Sequence, residues 1–225
     1  MVTTRPASLS ITSLAAAAGC LVPWPCLSAQ TYWQPPQVLW PRGVLATVPN
    51  VLLREFNLGS VRIRFNETTL ATVGDTFPGG RYGQSGDAGD YLRWLCYVSG
   101  AGAERSVLWL QSDEMGGGTW VMGFALQQVP ETASVDSRCA NLPASGSALQ
   151  LPKPLRLGTT RSEVVRLLGP PSYEHGDTLA YAHEHHVPPP QGKAGAYGYD
   201  VTSEVDLVLS GDRVMSLQVW YLEST

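Results

Sequence analysis

Leu155-Arg-Leu157-Gly158-Thr159-Thr160-Arg161-Ser-Glu-Val-Val-Arg-Leu-Leu168-Gly169-Pro170-Pro171 begins as a short apolar–basic alternation and turns into a helix. Thr160 and Glu163 stand at capping-box spacing, where each side chain reaches the other residue's backbone N–H, so a helix starts at Arg161. Val164, Val165, Leu167 and Leu168 supply its apolar stripe. Gly169 followed by Pro170 and Pro171 ends it, because glycine tolerates the turn and proline cannot continue a helix. Strand patterns follow at 178–187, 204–209 and 214–222, the last two joined by Ser210-Gly-Asp-Arg213, a tight hairpin signal. Between the first two lies an irregular run, Pro188-Pro-Pro-Gln-Gly-Lys-Ala-Gly-Ala-Tyr-Gly-Tyr-Asp200.

The same order is legible upstream. Val61-Arg-Ile-Arg-Phe65 alternates as a half-buried strand, Asn66 offers an N-cap, and a helix is expected over 67–73 up to Gly74. A loop at 75–89 carries Pro78-Gly79-Gly80, Gly83, Gly86 and Gly89, and strands are predicted at 90–98, 105–111 and 119–127. The fold expected from this echo is α+β: two helix-plus-antiparallel-sheet modules in tandem, either separate or in one continuous sheet with the helices on one face. The boundaries are a signal peptide at 1–29, an extended arm at 30–60, a first module at 61–129, a linker at 130–152 and a second module at 153–225.

Composition agrees with a loop-rich β or α+β protein. Gly 23 and Pro 17 in 225 residues weigh against a helical bundle. Lys+Arg 15 against Asp+Glu 19 leaves a net charge of −4, the wrong sign for a nucleic-acid partner. The N-terminus has Arg5 as its only charge before a short apolar stretch and two helix-breaking prolines, Pro23 and Pro25, which reads as a cleaved leader. Cleavage after Ser28 places Cys26 and Ser28 at the two small-residue positions; cleavage after Ala29 places Leu27 at the outer one. Ala17-Ala-Gly-Cys20 offers a second route, acylation of Cys20, and membrane attachment is expected only by that route. Ordinary cleavage removes Cys20 and Cys26 and leaves Cys96 and Cys139, which in an exported protein are expected to form one disulfide.

The second half also carries a family resemblance. Leu157-Gly158-Thr159-Thr160-Arg161-Ser162-Glu163-Val164, with Leu167-Leu168-Gly169-Pro170-Pro171-Ser172, resembles the helix and Gly-x-Pro signature of SmpA/OmlA (BamE-like) outer-membrane lipoproteins. Glu204–Val219 is similar to that family's closing hairpin. The β-lactamase inhibitor protein has a related fold built of two such modules. The resemblance covers 155–222, with 61–128 as a fainter second copy, and implies adhesion between proteins without catalytic residues. The long Pro/Gly/Tyr loop, the imperfect lipobox and the histidine cluster depart from the family pattern.

The residue types allow three functions. No nucleophile elbow, phosphate-binding loop or dinucleotide fingerprint occurs, so neither an enzyme activity nor a cofactor is expected. Tyr197 and Tyr199 in the Gly-rich loop, and Trp33 and Trp40 in the arm, are the candidate partner-binding residues, because loop aromatics give rigid amphipathic contact area. The favoured expectation is therefore an exported, non-enzymatic binding or assembly protein of the bacterial envelope, acting in the periplasm or secreted, with an envelope or secreted protein as partner. An inhibitor of a periplasmic or secreted enzyme is the alternative. A metal-binding protein is the third: His183 and His185 share one strand face, and Glu174, Glu184 or Asp177 would have to complete the ligand set.

Overall fold

Alternation in Val61-Arg-Ile-Arg64 buries Ile63 and leaves Arg62 and Arg64 in solvent, and the stretch pairs as an antiparallel hairpin with the strand before it. These are β1 (Glu55–Leu58) and β2 (Val61–Arg64). A computed structural model describes residues 31–37, 53–146, 149–189 and 197–224. Asn66 is not an N-cap: it sits at φ 59°, a left-handed turn residue, and Thr69 caps α1 (Leu70–Thr76) instead. The helix runs through Gly74, because the Thr69 hydroxyl accepts the Thr72 N–H and sets the start three residues later than the pattern suggested.

Four strands follow: β3 (Tyr82–Ser85), β4 (Leu92–Ser99), β5 (Ser106–Asp113) and β6 (Gly123–Gln128). The stretch expected to be a linker contributes β7 (Ala140–Asn141) and β8 (Leu149–Gln150). The second helix is α2 (Arg161–Leu168), with the capping box of Thr160 and Glu163 in place. Then come β9 (Tyr173–His175), β10 (Thr178–Val187), β11 (Tyr199–Ser210) and β12 (Arg213–Ser224). The large sheet has the order β3-β4-β5-β6-β12-β11-β10-β9, with β7 alongside β4 in parallel, and β2-β1-β8 form a small second sheet. The two halves of the chain meet where β6 pairs with β12, Phe124 opposite Val219.

The tandem α+β expectation is overturned: this is a sheet-dominated, mainly antiparallel fold. The physical reason is area. α1 and α2 are seven and eight residues long and bury two side chains each, Leu70 with Val73 and Val164 with Leu168. Helices that short cannot cover a sheet this wide, so the small sheet adds to the cover. Phe56 of β1 packs 4.7 Å from Phe124, and Phe65 stacks 6.0 Å from Tyr221. On the opposite face, Trp94, Cys96, Val107, Trp109 and Ala125 form a second cluster covered by Tyr32, Trp33 and Val135. Period two along β4 sends Trp94 and Cys96 to that face and Leu95 and Tyr97 to the main core.

The junction between the halves depends on one glycine. A Cβ on Gly123 would lie 2.4 Å from the Val219 carbonyl oxygen and 2.9 Å from the Trp220 ring. Gly123→Ala is therefore expected to cost about 1–3 kcal/mol by overpacking. Urea unfolding followed by tryptophan fluorescence measures it, and an unchanged midpoint would show that β6 and β12 can separate without loss.

Candidate functional site

The face that carries the main core opens into a cleft of about 1210 Å³. Its apolar part is made of half-buried leucines, Leu126 from the large sheet, Leu149 and Leu151 at β8, and Leu157 and Leu167 at α2, over the buried Leu58 and Leu108; Ser106, Gln128, Gln150 and Thr159 line it beside them. The wall at 153–159 is held by local chemistry. The Thr159 hydroxyl accepts the Arg156 N–H at 3.2 Å, and Lys153 donates to the Leu167 carbonyl at 3.2 Å. Arg213 donates to the Gly158 carbonyl at 2.8 Å, which ties the approach to α2 to the turn between β11 and β12. Glu163 accepts the Thr160 N–H at 3.0 Å, and those capping bonds, with Arg166 and Arg213 nearby, lower its pKa.

The rim is charged unevenly. Lys153, Arg156, Arg166 and Arg213 line it against Glu104 and Glu163. Arg156 and Arg166 are exposed, and neither makes an ion pair among the described residues. The result is a cleft of mixed character, in which half-buried leucines alternate with polar side chains under a rim that carries more basic than acidic groups. Glu163, Leu157, Leu167 and Arg213 stood out in the sequence as helix, motif and hairpin residues, but not as parts of a site, because the cleft forms only where that stretch meets β1, β5, β6 and β8.

The aromatics singled out from sequence have different fates. Tyr197 is 85% exposed just before β11. Tyr199 is not a loop residue: it pairs with Val187 as the first residue of β11 and packs half-buried against the main core. Trp33 is half-buried, 5.6 Å from the Trp94 ring, with the Arg138 guanidinium 3.9 Å above its own ring. Its carbonyl accepts the Trp109 Nε1–H at 3.0 Å. Trp33 thus seals the second cluster. Trp40, Cys20 and the leader at 1–29 lie outside the described residues.

Cys96 and Cys139 are joined as a disulfide, with Cα atoms 4.5 Å apart. It ties β4 to the segment that covers the second cluster. Beside it, hydrogen bonds from Arg138 hold the Asp136 carboxyl well below its usual range, at about 2.

His183 and His185 share a face as expected from period two, their rings 5.4 Å apart, and both are half-buried. No group of three His, Cys, Asp or Glu side chains arranged to hold a metal occurs among the described residues. On the other face of the strand, His186 Nδ1 lies 2.8 Å from the Asp200 carboxylate.

Sequence reasoning also missed a buried acidic pair. Glu204 and Asp206 project from one face of β11 and are 2% and 3% exposed. Their cross-strand neighbours are Ala182 and Ala180 on β10 and Trp220 and Gln218 on β12. Burial and then the neighbouring Asp206 charge push the Glu204 carboxyl up to about 8. The signal was present in Glu204-Val-Asp-Leu-Val-Leu, where alternation puts both acids on one face. Enclosed this far, the pair presents no surface to a substrate and acts on stability.

No protein-family model, no curated protein and no solved structure matches this chain.

Proposed function

We propose that the protein is an exported, non-enzymatic binding protein of the bacterial envelope, working in the periplasm or outside the cell, and that it docks a segment of another protein in this cleft. The observation that carries this is the cleft itself. At about 1210 Å³ it is larger than the ~300–1,000 Å³ usual for small-molecule sites, and half-buried leucines from both sheets and α2 line it together with polar side chains. The Cys96–Cys139 disulfide supports an oxidising compartment. The resemblance of 155–222 to SmpA/OmlA modules supports adhesion between proteins.

A photo-crosslinking residue placed at Gln150 or Arg156, both exposed and both lining the cleft, should yield a discrete adduct in envelope preparations. The same residue at exposed Glu131, which does not line it, should not. Leu151→Ala and Leu157→Ala, which truncate half-buried side chains without burying a charge, should each weaken partner recovery by about 2 kcal/mol, the scale of an interface anchor, with the far-ultraviolet circular dichroism as the check that the fold is kept. Adducts from all three positions alike, or from none, would remove the cleft as the contact site. If the captured partner is an enzyme and its turnover stops on binding, docking in the cleft is inhibition.

A further inference from the structure

Resting on the reading of the cleft as a protein-docking site, we infer the chemistry of the segment it takes: an extended peptide in which apolar and acidic side chains alternate, added as a further strand beside β8. Three observations meet at this place. The first is charge. Four cations line the rim against two anions, in a chain whose overall balance is −4. One of those anions, Glu163, is held in the capping box and partly offset by Arg166 and Arg213, whereas Arg156 is exposed without an ion pair among the described residues. A basic lip on an acidic protein selects acidic partners locally and repels them elsewhere, which gives orientation as well as attraction.

The second observation is an edge. β8 is the outer strand of the small sheet, paired with β1 through Asn57–Gln150 and Leu58–Leu149, and no strand pairs with its other side among the described residues. Leu149, Gln150 and Leu151 line the cleft, so a peptide lying in it runs along that edge. Strand addition supplies backbone hydrogen bonds, and pockets for alternate side chains supply specificity. The third is periodicity. Successive side chains of an extended segment point to opposite sides, so one set meets the half-buried leucines Leu126, Leu149, Leu151 and Leu157 while the other meets the lip. A peptide alternating leucine-like and acidic residues satisfies both sides at once.

The test uses the mature, disulfide-bonded protein and fluorescein-labelled peptides alternating Leu/Glu, Leu/Gln and Leu/Lys, read by fluorescence anisotropy. The Leu/Glu peptide should bind about tenfold tighter than Leu/Gln, Leu/Lys should bind weakest, and the preference should shrink as salt is raised. The double variant Arg156→Glu with Arg166→Glu, at two exposed positions, should reverse the order in favour of Leu/Lys. Amide shifts on binding should include Leu149, Gln150 and Leu151. Equal affinity for all three peptides overturns this inference and leaves cleft docking standing. Failure of all three to bind also overturns it, while cross-linking at Gln150 and Arg156 separately decides the docking reading. Dodecanoate shifting the same amides under conditions where the Leu/Glu peptide shifts none would show an amphiphile site and overturn the peptide assignment.

Discussion

Replacing Cys96 and Cys139 together with alanine should lower the unfolding free energy by about 3–4 kcal/mol, the chain-entropy value for a disulfide that closes a loop of this length. The two cysteines are 43 residues apart, so the bond excludes many open conformations from the unfolded chain. It also acts on the native state. Cys139 belongs to the segment that lies over Trp94 and Trp109, and that segment has little regular structure of its own beyond β7, two residues long. Without the bond the cover is held by Trp33 packing, the Arg138–Asp136 pair and a few backbone hydrogen bonds. Solvent should then reach Trp94 and Trp109, which are both at 0% exposure in the native fold. Urea titration of the oxidised, reduced and double-alanine forms, followed by tryptophan emission, tests this. Coincident midpoints would show that the cover is held without the cystine.

Stability should also fall as pH rises from about 4.5 toward 8, and Glu204→Gln should abolish that part of the slope. The unfolded chain releases the Glu204 proton near the ordinary carboxyl value of 4.5, whereas the folded chain keeps it to about 8. Between those values the native state binds more protons than the unfolded state, so raising the pH favours unfolding. The contribution is fully present below 4.5 and is lost as pH climbs through the folded value. One proton corresponds to a slope of about 1.4 kcal/mol per pH unit. The cause is local: burial between Ala182 and Trp220 penalises the charged form first, the Asp206 charge and a hydrogen bond with Asp206 add to it, and no Lys, Arg or His among the described residues pairs with Glu204. Glutamine keeps the shape without the charge. Denaturant unfolding at a series of pH values compares the two proteins, and parallel curves would move the titration to another group.

Elements whose boundaries depend on neighbours in sequence were the legible ones. α2 begins and ends where the capping box and the Gly-Pro-Pro run place it, at Arg161 and Leu168. β10 occupies 178–187 as the apolar pattern indicates, and β2 follows its alternation. The start of α1 was misplaced because Asn66 and Thr69 are both good caps, and only the turn at Asn66, with φ 59°, chose between them. β7 and β8 are two residues long, too short for any period to register, and exist because the distant strands β4 and β1 offer them backbone partners; β1, four residues long, lies in the stretch expected to be an arm.

Local chemistry thus determined the capped helix, the alternating strands, the hairpin at Ser210–Arg213 and the surplus of acid over base. The pairing of Cys96 with Cys139 was also expected from the sequence, on the reading of 1–29 as a leader that carries the other two cysteines. Only the tertiary structure decided that β6 pairs with β12, so that both halves share one large sheet, and that short helices leave part of its cover to a second sheet. It alone created the cleft, whose leucines come from β1, β5, β6, β8 and α2 and its approach, and it alone enclosed Glu204 beside Asp206. Periodicity says which side of a strand a residue takes, but what lies over that side depends on contacts between segments far apart in the chain.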